Sequence, residues 1–368
     1  MKSFPRFFWR TALSLVVAFS PAVLFAQHYI QTNLVSDLPG VAKKNPPDKR
    51  LKNSWGLTRA TDSPWWIADN NTGLSTLYDG TGAVKSLQVT IPSDPAQSPI
   101  GSPTGAVFNG TSDFAVTTGN PAIFLFVNED GTISGWNPNV NLHMAIAKVR
   151  HSTRSVFKGA TIAVDEGHRF LYVADFRQAK VLKFDTNFHQ VPTLPGAFLE
   201  FVGNLGFAPF NVWNVGGNLY VSFAKQDAAK HDPIHGAGLG FVVAFDTKGF
   251  PVQFLQFGPW FNAPWGIALA PSDFGGLSHR LLIGNFGDGH ILVFNAANGR
   301  FAGEMLDSKG NPIRIDGLWA LSFASGDSTS SSGFGNALYF TAGPNNETDG
   351  LFGNLTVDPN DLVQGNTQ

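Results

Sequence analysis

The residues best suited to chemistry fall in short polar turns. These are Asp69-Asn70-Asn71, Thr118-Gly119-Asn120, Asp175-Phe176-Arg177-Gln178, Lys225-Gln226-Asp227, Asn285-Phe286-Gly287-Asp288-Gly289 and Pro344-Asn345-Asn346-Glu347-Thr348-Asp349-Gly350. All are rich in amide and carboxylate oxygens. Oxygen-only donors suit hard cations such as Ca²⁺ or Mg²⁺, and amides also suit sugar hydroxyls. Asn, Asp and Gly recur wherever a chain turns, so composition alone names no ligand. The last stretch is the least turn-like, which puts Glu347 at its centre. Asn70, Asn71, Asp175, Lys225, Gln226, Asp227, Asn285, Asp288, Asp316, Asn345, Asn346 and Glu347 are therefore the candidate ligand-binding residues. Were a metal held, Asp69, Asn285, Asp288 and Glu347 would be its oxygen ligands, and its chemistry would be the activation of a water.

Other reaction types find less support. His231 and His235 are four apart, a spacing that suits a metal on a helix, but Pro233 lies between them and argues for a polar rim loop. No Gly-x-Ser-x-Gly elbow occurs, and the absence of cysteine excludes disulfides, thiolate metal sites and thiol nucleophiles. Asp288 and Glu347 are the acids that could pair across a cleft for glycoside hydrolysis, a chemistry set by a gap that sequence does not measure.

Elements that would position these turns repeat along the chain. The clearest unit runs from Pro264 to Gly299, with apolar runs Gly266–Leu269, Leu281–Gly284 and Ile291–Phe294 separated by turn residues. Five looser copies begin near Ser54, Pro103, Gly159, Phe210 and Gly317. Gly56, Gly105, Gly159, Asn211, Gly266 and Trp319 mark one equivalent position at intervals of roughly 50 residues, the signature of a propeller with several strands per repeat. In the second copy, Phe114–Gly119 reads as the second strand and Ile123–Val127 as the third. The sixth copy runs out of chain before an outer strand, and the orphan alternating segment Tyr29–Val35 is expected to supply it, closing the ring. The fold class is thus all-β, a six-bladed β-propeller, with the lead-ins to the innermost strands and the turns after the second strands sharing one face.

Composition agrees. Forty Gly and 23 Pro punctuate too densely for long helices, while 33 Phe and 9 Trp can fill a large core. Residues 1–26 read as a secretory signal: Lys2, Arg6 and Arg10, an apolar run, then Ala26 at the cleavage point. Its removal takes away three cations and no acids, so the mature chain is more acidic than the formal −2 of the whole. That balance argues against nucleic acid as a partner. Residues 27–358 are expected as a single propeller, with Pro39–Asn53 a solvated connector, Gly326–Gly335 a flexible loop and 359–368 a polar tail. The expected partners are a small molecule, a glycan or an envelope protein, with no transmembrane span in the mature chain, and no cofactor beyond a possible Ca²⁺ or Mg²⁺ is implied.

The repeats resemble NHL-type propellers. The combination of Ala224-Lys225-Gln226-Asp227, Pro264-Trp265-Gly266-Ile267-Ala268, Gly284–Gly289, Asp316-Gly317-Leu318-Trp319 and Thr341–Gly353 resembles an uncharacterised bacterial family of exported, NHL-like six-bladed propellers. Some members end in an exosortase sorting tail, which has no counterpart after Pro359. The resemblance implies a fold and an exported, periplasmic or extracellular location rather than a reaction. The functional expectation is a binding or scaffold protein using its polar central face. The alternative is a metal-dependent hydrolase of the lactonase-like propeller type, for which Asp316 is the acid available at an inner-strand lead-in.

Overall fold

The computed structural model describes residues 27–42, 44–325 and 331–364. The proposed signal at 1–26, residues 326–330 of the expected loop Gly326–Gly335 and residues 365–368 of the expected tail lie outside the described residues. Six sheets stand around a common axis. The innermost strands are Ser54–Thr58, Pro103–Phe108, Phe157–Asp165, Phe207–Val215, Pro264–Leu269 and Leu318–Phe323. The first five each begin a four-stranded antiparallel blade in chain order from inside to outside, and the sixth begins a five-stranded sheet whose outermost strand, Leu306–Asp307, runs parallel to its neighbour.

Blade 6 closes the ring. Its third strand, Leu351–Val357, pairs antiparallel with the N-terminal strand His28–Ser36, from Tyr29 opposite Val357 to Ser36 opposite Leu351. The pairing covers an edge that would otherwise present unpaired backbone groups. Buried Tyr29 anchors the closure, donating its hydroxyl to the Phe274 carbonyl at 2.9 Å.

Every blade carries the same irregularity, and it builds the centre. The pairing of the innermost with the second strand slips between Ser54 and Leu57, Pro103 and Ala106, Phe157 and Gly159, Pro209 and Asn211, Pro264 and Gly266, and Leu318 and Leu321. A β-bulge of this kind re-aims a side chain. The residues falling in the slips include Trp55, Thr104, Lys158, Phe210, Trp265 and Trp319, all buried. Trp55 stacks on Trp319 at 3.4 Å between ring centres, Trp319 stacks on Phe286 at 3.9 Å, and Trp265 and Phe210 meet Trp55 at 6.0 and 6.4 Å. An aromatic plug therefore fills the axis, each such pair contributing about 0.5–1.5 kcal/mol beyond its buried area.

The glycine after the bulged residue has a separate reason. A Cβ on Gly56 would lie 2.5 Å from the Thr104 carbonyl oxygen, and one on Gly159 would lie 2.0 Å from Asn211 Oδ1. Successive innermost strands approach too closely there for a side chain, which accounts for the period seen in the sequence.

Three expectations need correction. In blade 2 the second strand is Phe124–Asn128 and the third Thr132–Trp136, while Ala115–Thr117 and Asn120–Pro121 form a separate small hairpin. The apolar run Phe114–Gly119 patterns like a blade strand but turns back on itself and pairs outside the blade. The connector before blade 1 is not fully solvated, because Leu51, Asp48 and Asn53 are buried and Asp48 binds Arg50 and the Tyr78 hydroxyl. The C-terminal tail begins as a short helix, Pro359–Gln364, with Asp361 accepting from the Gln27 side chain and the His28 backbone. Among the described residues no helix is long and apolar enough to cross a membrane.

Candidate functional site

Above the aromatic plug, the lead-ins to the innermost strands and the turns after the second strands converge on an axial mouth. Its centre is Lys158, the one charged residue among the bulge side chains. Lys158 is fully buried, and its ammonium lies 4.9 Å from the centre of the Trp55 ring. It donates to Glu129 Oε1 at 2.5 Å and to Asp232 Oδ1 at 3.1 Å. Burial alone would pull the lysine pKa down, but the charges of Glu129 and Asp232 outweigh it and hold the ammonium protonated.

Glu129 sits in the turn Asn128-Glu129-Asp130-Gly131 of blade 2, and its other oxygen accepts from Asn70 Nδ2 at 3.0 Å. Asp232 comes from the insertion of blade 4, with His231 Nδ1 3.0 Å from its Oδ1. Burial works to raise the Asp232 carboxyl, yet the His231 hydrogen bond and the Lys158 charge hold it below the usual carboxylate range. The hydrogen bond to Asp232 likewise pushes His231 up.

The opposite wall is a strained turn. Asn345, Asn346 and Glu347 all have left-handed backbone, with φ of 57°, 54° and 65°. Left-handed geometry costs non-glycine residues about 1–2 kcal/mol each, so surrounding contacts must hold it. Asp316 Oδ2 accepts from the Asn345 N–H, Asn345 Nδ2 donates to Asp349, and Asn71 Nδ2 donates to the Glu347 carbonyl. Asn53 Nδ2 then donates to Glu347 Oε2 at 2.8 Å. The plug itself orients that amide, since Trp319 Nε1 donates to Asn53 Oδ1 at 3.0 Å. Burial pushes the Glu347 carboxyl above its ordinary value despite the Asn53 hydrogen bond.

Of the residues singled out from the sequence, Asn70, Asn71 and Glu347 meet at this mouth, and Asp316 and Asn345 support it; Asn346 is exposed on the turn. Asp227 shapes the insertion by accepting from the His231 and Asp232 N–H groups. Others are tied into the scaffold. Asp69 is fully buried, accepting from Ser54 and Thr76 hydroxyls, and burial pushes its carboxyl well up. Asp175 is similarly buried, bound to Val156 N–H and Gln178, with burial raising it. Asn285 binds the backbone of Trp260 and Asn262, Gln226 donates to the Phe176 carbonyl, and Lys225 donates to Leu205. Asp288 accepts from Asn262 Nδ2 at 3.2 Å.

The expected metal set Asp69, Asn285, Asp288 and Glu347 is therefore not assembled: Asp69 is locked between two strands and Asn285 between two backbone groups. Among the described residues, the metal-competent grouping is instead Glu129, His231 and Asp232, with ligand atoms within 4.8 Å of one another. The insertion expected as a rim loop folds inward over the axis. His235 packs edge-on against Phe286 at 4.9 Å rather than pairing with His231.

Four residues of the cluster, Asn53, Glu129, Lys158 and Asp232, are not among the candidates singled out from the sequence. Glu129 was hidden by the misplaced strands of blade 2, although Asn-Glu-Asp-Gly is a turn signal. Lys158 stands directly before Gly159, at the position that other repeats fill with Trp, Thr or Phe, and that contrast was the available signal.

No protein-family model matches the sequence. Two uncharacterized proteins of Acanthamoeba polyphaga mimivirus are similar over most of its length. One is 32% identical over 335 residues, covering 88% of this chain and 79% of the relative; the other is 33% identical over 340 residues, covering 88% and 85%. Solved structures share the fold alone. The PQQ-bound aldose sugar dehydrogenase of Streptomyces coelicolor aligns with TM-score 0.52 at 12% identity, over 90% of this chain and 99% of that one. A protein of unknown function from Bacteroides thetaiotaomicron aligns with TM-score 0.52 at 11% identity, over 90% and 76%. With its six blades and this extent of shared sequence, the chain belongs to the family represented by the two uncharacterized mimivirus proteins.

Proposed function

We propose that this protein is a binding propeller whose axial mouth, built on Lys158, Glu129, Asn70, Asn53 and Glu347, receives a small polar ligand. The observation that carries the reading is the buried ammonium. Burying a charge costs several kcal/mol before pairing, whereas blades 1, 4, 5 and 6 place Trp or Phe at the same bulge and gain stability from it. A lysine ringed by carboxylates under an exposed hairpin is therefore poor packing and good recognition. The strained Asn345–Glu347 turn supports the same view, since strain of this kind gathers where geometry must be pre-set.

The experiment is a melting screen of the purified protein against neutral sugars, amines, carboxylic acids and divalent cations. A ligand of the axial mouth raises the melting midpoint by mass action. That rise should vanish in Asn53→Ala and Glu347→Gln variants. Midpoint rises that persist unchanged in both variants, or no rise with any class, overturn the reading.

The metal-dependent hydrolase is kept as a second reading by Glu129, His231 and Asp232. A mixed nitrogen and oxygen set suits a transition-metal dication better than Ca²⁺. Any such ion must displace Lys158 from the same oxygens. A midpoint that falls on addition of chelator would favour this reading.

Export is also proposed, on the charged, apolar and small-residue order of residues 1–26. The relatives are viral, so they lend the bacterial exported family no support. N-terminal sequencing of the expressed protein tests it, with Gln27 as the expected first residue.

A further inference from the structure

The two carboxylates on Lys158 are held in opposite ways. Glu129 is 14% exposed and fixed by Asn70 from the neighbouring blade, whereas Asp232 is 61% exposed at the tip of the hairpin inserted into blade 4. That hairpin keeps its own shape. Asp227 N–H donates to the Asp232 carbonyl, Asp227 Oδ1 accepts from the His231 and Asp232 N–H groups, and Ile234 N–H donates to the Lys225 carbonyl. Its ties near the base are Gln226 to Phe176, Gly236 N–H to Asn262 and His235 against Phe286. At the tip, Asp232 reaches Lys158. Lifting the tip therefore leaves the internal bonds of the hairpin intact and opens one donor of a buried ammonium at the floor of the mouth.

We propose that Asp232 is a built-in stand-in for the carboxylate of a polyhydroxylated monocarboxylic acid, which takes its place on Lys158 when the hairpin lifts. This rests on the axial mouth being a ligand site. Charge supports it: a carboxylate replaces a carboxylate, so the cluster carries the same charge in both states. A single ammonium accounts for one acid group. A second would face Glu129 and Glu347, which disfavours dicarboxylates. Around that position Asn53, Asn70, Asn71 and the Glu347 carboxylate form a hydrogen-bonded polar wall, whose bonds ligand hydroxyls would exchange into. While the hairpin is latched, apparent affinity is reduced by the fraction of molecules that are open.

The test is calorimetric titration of the full chain and its Asp232→Ala variant with glucuronate and gluconate, beside glucose, glucosamine and succinate. Asp232 is exposed, so the variant is expected to fold, and its melting midpoint checks this. Asp232→Ala should bind the two sugar acids at least tenfold more tightly than wild type, with glucose, glucosamine and succinate weaker by a similar factor. Glucuronate should also protect Lys158 of that variant from reductive methylation, as mapped by peptide mass spectrometry. Glucose or glucosamine binding as well as glucuronate would overturn the carboxylate assignment while leaving the mouth a ligand site. So would succinate as the preferred ligand. Binding unchanged by Asp232→Ala, or no binding to the variant, overturns the stand-in role. The separate Asn53 and Glu347 melting screen then decides the fate of the mouth itself.

Discussion

Replacing Lys158 by Met removes the counter-ion from Glu129, which is 14% exposed and has the ammonium 2.5 Å from its Oε1. Breaking a buried ion pair from one side costs about 3–5 kcal/mol, because the remaining charge stays desolvated. Asp232 adds little, since at 61% exposure water replaces its partner. Unfolding entropy near ~2.1 cal/mol/K per residue gives roughly 0.7 kcal/mol/K over about 330 described residues, so the midpoint should fall by about 4–7 °C. The double variant Lys158→Met with Glu129→Gln removes both charges and lays an apolar chain over Trp55, and should recover most of that loss. Scanning calorimetry of wild type, single and double variants reads both numbers. A single variant within 1 °C of wild type, or a double variant no better than the single, would refute a buried, mutually dependent pair.

Three further outcomes follow from the scaffold. Deleting the strand His28–Ser36 uncovers the Leu351–Val357 edge and the packing of Tyr29, so the melting midpoint should drop by several degrees and light scattering should show association; a monomeric chain of unchanged midpoint would refute ring closure. Gly159→Ala should lower stability by about 1–3 kcal/mol or more through the 2.0 Å approach to Asn211, whereas Gly119→Ala, with no atom within 4 Å but φ of 76°, should lose only the smaller backbone term; equal effects by denaturant titration would contradict the packing argument. Asp69→Asn should be tolerated, because Asn128 and Asn285 end the corresponding second strands of blades 2 and 5. Burial raises the folded Asp69 carboxyl, so wild type gains stability as pH falls from that raised value toward the ordinary carboxylate range. The variant should lack that part of the pH dependence, and an identical pH–midpoint curve would refute it.

The fold was legible because one steric demand repeats. A glycine at close approach between innermost strands recurs through Gly56, Gly105, Gly159 and Gly266, and the orphan strand near Tyr29 completed the arithmetic of the last blade. Blade 2 was misread because its hairpin at 115–121 carries apolar residues that pattern like a strand while pairing outside the blade. The site was less legible for a related reason. Acids and amides at the ends of second strands, such as Asp69, Asp175 and Asn285, are turned inward to bind the backbone and hydroxyls of their own blades. The proposed ligand contacts fall to Lys158, aimed by a bulge, and to Asp232, carried inward by a hairpin whose fold depends on Asp227. Bulge direction and the reach of an insertion are tertiary properties that no local pattern records.

The most direct measurement is a crystal structure of the Asp232→Ala protein grown with glucuronate. The account predicts density on the propeller axis, with the sugar carboxylate in hydrogen-bond reach of Lys158 Nζ and hydroxyls against Asn53 and Glu347. Glucuronate bound elsewhere, with Lys158 still sealed beneath the hairpin, would contradict it.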